Sequence, residues 1–266
     1  MSGCAAMSKP GRTMTNWTRL LCRLGVAAGG LMALTIQAAA AECGRMEHDG
    51  QSYSLCTITA DEEPRLGLWI DDAEGNKLRN FSNLRAALPA GRDLVFAMNA
   101  GMFHSDYEPV GFYKSDGETR GQLVTGGGGG NFGLLPNGVF CTGGAQPFAV
   151  IESRAFAEKQ PQCRLATQSG PMLVIDGELH PRFLVDSDSL YVRNGVGVSA
   201  DGQTAWFAIS DRPVNFHSFG RLFRDGLGAR NALYFDGSIS RLHAPSLNRS
   251  DFGWPMGPII GLVDEG

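Results

Sequence analysis

Several familiar signatures are missing from this 266-residue chain. No apolar run reaches the roughly 20 residues that a membrane-spanning helix requires. No Cys-x-x-Cys or His-x-His pair occurs, so the common zinc spacings are absent. The glycine run Gly126–Gly130 is followed by Asn131-Phe132 rather than Gly-Lys-Ser/Thr, which rules out a nucleotide-binding P-loop. Ser169 sits before Gly170-Pro171, outside the Gly-x-Ser-x-Gly context of a serine nucleophile. The five histidines share no motif. Charged residues make up only 19% of the chain, and acidic ones outnumber basic ones by 27 to 23. A nucleic-acid partner would call for a basic face.

The absence of acid from the first 41 residues carries information of its own. Lys9, Arg12, Arg19 and Arg23 form a basic leader, Leu24 to Ile36 is apolar, and Ala39-x-Ala41 precedes Glu42. This is the pattern of a cleaved signal peptide over residues 1–41. The mature chain, 42–266, then carries 19 basic and 27 acidic residues. It reads as a single domain with no integral membrane segment, located in the periplasm or secreted. Four cysteines remain: Cys43, Cys56, Cys141 and Cys163. An even number in an exported chain favours disulfides. Of three possible pairings, Cys43–Cys56 and Cys141–Cys163 are preferred because each closes a short loop. No metal or other cofactor is expected.

Glycine is abundant, at 36 residues, and turn signals such as Asp116-Gly117 and Asp201-Gly202 punctuate short apolar runs. Strands are expected at 53–59, 66–70, 94–98, 111–114, 132–135, 147–151, 172–175, 192–199, 204–210, 232–236 and 258–263. From Asn215 to Leu227 the residues Phe216, Phe219, Leu222, Phe223 and Leu227 lie on one helical stripe. A second short helix is expected at 81–88. Strands dominate, so the fold class is α+β: a strand-rich mixed-sheet domain with a few inserted helices.

Several of these strands end in polar residues and glycine. They supply Asn99-Ala100-Gly101, Ser169-Gly170, Arg193-Asn194, Ser210-Asp211 and Asp236-Gly237-Ser238. If these ends converge, they build a cleft with amides, a guanidinium and two carboxylates over a rigid sheet. Each piece has a plainer reading. Asp236-Gly237 is also a turn, Asp211 could cap the helix near Asn215, Arg193 could lie on a surface strand, and the glycine run could be a loop tip or a mobile flap.

Taken in order, the segments NAGMF, GGNF, TQSGPMLVIDG, RNGVGV, FAISDRPVNF and LYFDGSIS resemble the phosphodiester glycosidase family, in an exported bacterial branch, over roughly residues 90–263. The family's Asn-Gly-Gly-Phe-Phe reads Asn99-Ala100-Gly101-Met102-Phe103 here. Its Asp-Gly-Gly-x-Ser reads Asp236-Gly237-Ser238-Ile239-Ser240. The resemblance implies hydrolysis of a sugar-1-phosphodiester, a carbohydrate or envelope-glycan substrate. Asp236 would be the reacting carboxylate, with Asp211 as a second carboxylate that acts as base or orients Arg193. Arg193 would bind the phosphodiester, because its planar fork suits phosphate oxygens. Asn99, the Gly101 amide, Asn194, Gly170, Ser238 and Ser240 would line the substrate. The competing reading is a non-catalytic glycan-binding module of the periplasm.

Overall fold

The computed structural model describes residues 41–127 and 129–265. The leader expected over 1–41 lies, but for its last residue, outside them. In chain order the elements are β1 (Glu42–His48), β2 (Gln51–Thr59), β3 (Leu66–Trp69), α1 (Phe81–Ala87), β4 (Leu94–Asn99), β5 (Tyr113–Ser115) and β6 (Glu118–Arg120). Next come β7 (Gly138–Thr142), β8 (Phe148–Glu152), α2 (Ser153–Lys159), β9 (Leu165–Ser169), β10 (Met172–Ile175), β11 (Glu178–Leu179) and β12 (Asn194–Val198). The chain closes with β13 (Thr204–Ser210), α3 (Phe216–Arg221), β14 (Asn231–Asp236), β15 (Leu242–Ala244), β16 (Arg249–Ser250) and β17 (Ile259–Val263).

Three sheets share one core. The largest runs β1-β2-β13-β12-β14-β10-β11, the second β16-β15-β4-β17-β3, and the third β6-β5-β9-β7-β8. Alternation along the strands explains the arrangement. On β12, Val196 and Val198 point into the shared core with Phe207, Leu233, Phe96 and Phe140. The opposite face of the same sheet packs Tyr53, Ala208 and Tyr234 against Phe219 and Phe223 of the α3 segment. Gly195 and Gly197 lie beneath that helix. A Cβ on Gly197 would come 2.5 Å from Phe223 Cδ1, so the close approach excludes a side chain there. The smaller helix α1 covers the outer face of the second sheet through Phe81 and Leu84.

The strand-rich α+β class is as expected, with three adjustments. Residues 132–135 are not a strand. Asn131–Gly133 is a 3-10 turn that buries Phe132. The helix expected over 215–227 is α-helical only to Arg221 and continues as a π-helical turn, Leu222–Gly226. Its greasy stripe is intact, because the phenylalanines seat under the same sheet. Strands β1, β7 and β9, the short strands β6, β11, β15 and β16, and helix α2 were not anticipated.

Both disulfides form as preferred, Cys43–Cys56 and Cys141–Cys163. The first joins directly opposed residues of β1 and β2. Those strands turn through Asp49-Gly50, both at positive φ, as a tight hairpin demands. Strand β1 is an edge of the seven-stranded sheet, and the bond staples it there. Replacing Cys43 and Cys56 by alanine should lower the unfolding free energy by about 3 kcal/mol on loop entropy alone. Urea unfolding monitored by far-UV circular dichroism measures the loss.

Candidate active site

Strands from two sheets end at one place, and a pair of buried asparagines joins them. Asn99 closes β4 and Asn194 opens β12. Asn99 Nδ2 donates to Asn194 Oδ1 at 3.0 Å, and Asn194 Nδ2 donates to the Asn99 carbonyl at 2.9 Å. Their remaining capacity holds the loop that follows β14. The Asp236 N–H donates to Asn194 Oδ1 at 3.3 Å, and the Arg241 N–H donates to Asn99 Oδ1 at 2.9 Å. Ser240 Oγ reaches both Asn194 Oδ1, at 3.2 Å, and the Asp236 carbonyl. The segment 236–241 is thereby clamped at each end.

That geometry revises the roles expected of the two amides. Both asparagines are buried, and their hydrogen bonds go to protein. Asn99 and Asn194 are positioning residues for the Asp236 loop. Asn194→Ala would strip partners from Asn99 Nδ2, the Asp236 N–H and Ser240. At about 1–3 kcal/mol for each buried group left unpaired, the loss of stability should be several kcal/mol. Denaturant unfolding of the purified variant tests this.

The Asp236 carboxyl is half-buried. Its Oδ1 accepts from the Ser238 N–H at 2.8 Å and the Ile239 N–H at 3.5 Å. Burial pushes its pKa above the usual carboxylate value, while the backbone N–H groups of Ser238, Ile239 and Gly237 pull the other way without cancelling it. The glycine at 237 has a steric reason, since a Cβ there would lie 2.0 Å from Tyr234 Oη.

Gly101, two residues beyond Asn99, takes φ +149, and a Cβ there would press on Thr167 Oγ1 at 3.3 Å and the Gln168 carbonyl at 3.4 Å. The apolar run of β4 therefore breaks at glycine because β9 passes close by. Gly170 is likewise a packing position. A Cβ on it would meet Asn137 Oδ1 at 2.0 Å, and the residue is buried.

Arg193 is fully buried, which excludes the surface-strand reading. Its guanidinium lies 3.6 Å from the centre of the Phe216 ring, and the Tyr191 and Tyr234 rings stand at 5.4 Å. Nε donates to the Val214 carbonyl and Nη2 to the Ser189 carbonyl, each at 2.8 Å. Nη1 and the neighbouring Tyr234 hydroxyl have no hydrogen-bond partner. No carboxylate pairs with Arg193 among the described residues, and burial draws its pKa down.

Asp211 is placed differently from the orienting role expected of it. It accepts from Ser52 Oγ at 2.8 Å, Ser54 Oγ at 3.0 Å and Arg249 Nη1 at 2.7 Å. Carbonyl groups, not Asp211, orient Arg193. Nor does Asp211 cap α3, because Asn215 does so through the Ser218 N–H. The sequence reading missed Tyr191, Phe216 and Tyr234 around Arg193. Their only signal was aromatic residues bracketing the motifs that carry Arg193 and Asp236.

A strand-rich α+β domain that gathers a half-buried carboxylate and a buried guanidinium near its strand ends has the elements of a polar site on a rigid sheet. The sequence model described as phosphodiester glycosidase matches residues 92–261. The chain belongs to the phosphodiester glycosidase family, and it is a phosphodiester glycosidase-like hydrolase. It is 28% identical over 233 residues to the uncharacterized protein YigE of Escherichia coli (strain K12), covering 88% of this chain and 89% of that one. Its fold is that of the catalytic domain of zebrafish N-acetylglucosamine-1-phosphodiester alpha-N-acetylglucosaminidase, solved auto-inhibited by its pro-peptide. The TM-score is 0.56 at 13% identity, over 84% of this chain and 82% of that one. A putative exported protein of Burkholderia pseudomallei K96243 aligns with TM-score 0.42 and 11% identity, over 80% and 74% of the two chains.

Proposed function

We propose that the mature chain, residues 42–266, is exported to the cell envelope and cleaves the bond between the anomeric carbon and the phosphate oxygen of a sugar-1-phosphodiester. The observation that carries this reading is the Asp236 loop, held at both ends by the Asn99–Asn194 pair with its carboxyl half-buried at the strand ends. A phosphate monoester leaves with the bonding electrons as a stable anion, so little protonation of the leaving group is required. One carboxylate can then suffice, and the paired carboxylates of ordinary glycosidases are not obligatory. Asp236 supplies that negative charge at the anomeric carbon, as nucleophile or as base toward water. Its raised pKa strengthens it in either role.

Arg193 is assigned to the phosphodiester, because Nη1 is the guanidinium nitrogen left without an acceptor. The half-exposed Tyr191 ring stands beside the guanidinium on the side open to solvent. Ser238, which is exposed on the loop, and the Gly101 N–H are assigned to sugar or phosphate oxygens. Asp211 is assigned to holding Arg249, which ties β2 to the segment after β15. Two disulfides suit an oxidising compartment, and among the described residues no helix is long and apolar enough to cross a membrane. Purified mature protein assayed against a panel of sugar-1-phosphodiesters tests the activity. Binding without release of the phosphate monoester would instead favour a glycan-binding module.

A further inference from the structure

A second cation opens on a cavity beside the Asp236 loop. Arg241 ends the clamped segment 236–241 and is only 7% exposed. Its backbone N–H is held by Asn99, but its guanidinium makes no hydrogen bond or ion pair among the described residues. It lines a pocket of about 320 Å³ whose walls include Asn80, Ser82 and Ser250. Asp251 also borders this pocket, but its carboxylate is taken up by Arg249, with Nε and Nη2 at 2.9–3.1 Å, and by the Leu242 N–H at 3.0 Å. Asp251 thus attracts Arg241 only through space, and its hydrogen bonds go elsewhere.

Phe252, 92% exposed, borders the pocket, and Trp254, 78% exposed, follows it across Gly253. Gly253 takes φ +135, and a Cβ there would lie 2.6 Å from Arg241 Nη2. The glycine thus lets the backbone lie against the guanidinium while the two neighbouring rings stand out in solvent. Exposed rings of this size on either side of one glycine bury little of their surface against the protein. A flat ring face beside polar walls suits the apolar face of a sugar, and an unpaired buried guanidinium suits an anion.

We propose that the Arg241 pocket is a second subsite that binds a negatively charged sugar, with the anion on Arg241 and the sugar ring against Trp254 and Phe252. This rests on the proposed reaction and names its substrate class: a glycan bearing a further negative charge beyond the scissile phosphodiester. Five residues separate Arg241 from Asp236, and an extended chain spans at most about 3.6 Å per residue. The Cα atoms of Arg241 and Asp236 therefore lie within about 18 Å of each other, close enough for one short glycan to reach both. Phosphate and carboxylate share the required chemistry.

The test is nuclear magnetic resonance of the mature protein, following the Trp254 indole N–H during titration with glucose 6-phosphate, glucuronate and glucose. Both anionic sugars, or one of them, should shift the resonance, and glucose should bind at least about tenfold more weakly. Which anion binds more tightly identifies the charge. Arg241→Gln retains the backbone bond to Asn99 and should weaken anionic binding by about tenfold or more. Trp254→Ala, followed through the Gly253 amide, should weaken all sugars. Equal affinity for glucose, or undiminished anionic binding by Arg241→Gln, overturns the proposal. Because this readout needs no turnover, it decides the subsite even if no sugar-1-phosphodiester is hydrolysed. Where hydrolysis is measurable, Arg241→Gln should abolish any kcat/KM advantage of a doubly charged substrate over a singly charged one. An advantage that survives counts against the subsite.

Discussion

Asp236→Asn is expected to lower turnover of a sugar-1-phosphodiester by roughly 10³-fold or more, the scale seen when a reacting group is removed. The same change should leave folding intact or improve it. Asparagine keeps the Oδ1 that accepts from the Ser238 and Ile239 N–H groups and loses only the charge. Burial raises the Asp236 pKa above 3.8 in the folded chain. Between that ordinary value and its own raised one, the folded protein holds a proton that the unfolded chain has released. Stability therefore falls as pH rises through this window, and the cost is complete once the pH has passed the raised value. The variant should unfold at or above the parent's temperature at pH 7, and the difference should close as the pH drops below the unfolded value. The parent's kcat/KM should rise with pH through an acid limb lying above the ordinary aspartate range. Calorimetry and a pH–rate profile measure the two effects separately. Retained turnover would remove Asp236 from the chemistry, and early unfolding would make it a turn residue.

What the sequence showed clearly were the apolar runs and the polar residues that stop them. Strands β13 and β14 end where expected and β4 and β12 fall within one or two residues of their expected ranges, because alternation and glycine mark them. Strands such as β1, ECGRMEH, and β9, LATQS, were missed because polar residues occupy them. Strand β1 is an edge strand made credible by its Asp49-Gly50 turn and its disulfide. Strand β9 is wholly buried, yet it carries Thr167, Gln168 and Ser169, whose side chains bond inward to the Ala100, Val124 and Phe235 carbonyls. Hydrophobicity cannot show that burial. The site shows the same limit. Residue type suggested that Asn99 and Asn194 meet a ligand, but only the register of two sheets shows that they meet each other. Arg241 drew no attention, because its significance lies in a missing partner, and a sequence does not record which carboxylate Arg249 has already taken.

Arg193→Met should separate function from stability in the opposite sense to an ordinary core substitution. Taking a guanidinium out of water without a counter-ion costs several kcal/mol, offset here by ring faces and two carbonyl acceptors. Methionine is flexible and long enough to pack against Phe216 and removes the charge. Few hydrogen bonds are lost with it. The Val214 carbonyl still accepts from the Tyr191 N–H at 3.2 Å, and the carbonyl of exposed Ser189 can turn to water. The variant should therefore unfold no more readily than the parent in urea. Its kcat/KM for a sugar-1-phosphodiester should nonetheless fall by roughly 10²- to 10³-fold, the worth of a donor aimed at developing charge in a dry site. Arg193→Lys retains the charge but cannot reach two carbonyls and an anion at once, so it should fail in both measurements. A methionine variant that keeps its kcat/KM, or one that loses several kcal/mol of stability, would assign Arg193 to tethering Ser189 and Val214 instead of to the phosphodiester. An uncompensated cation in a fully buried position is expected to be kept only where an anion arrives to meet it.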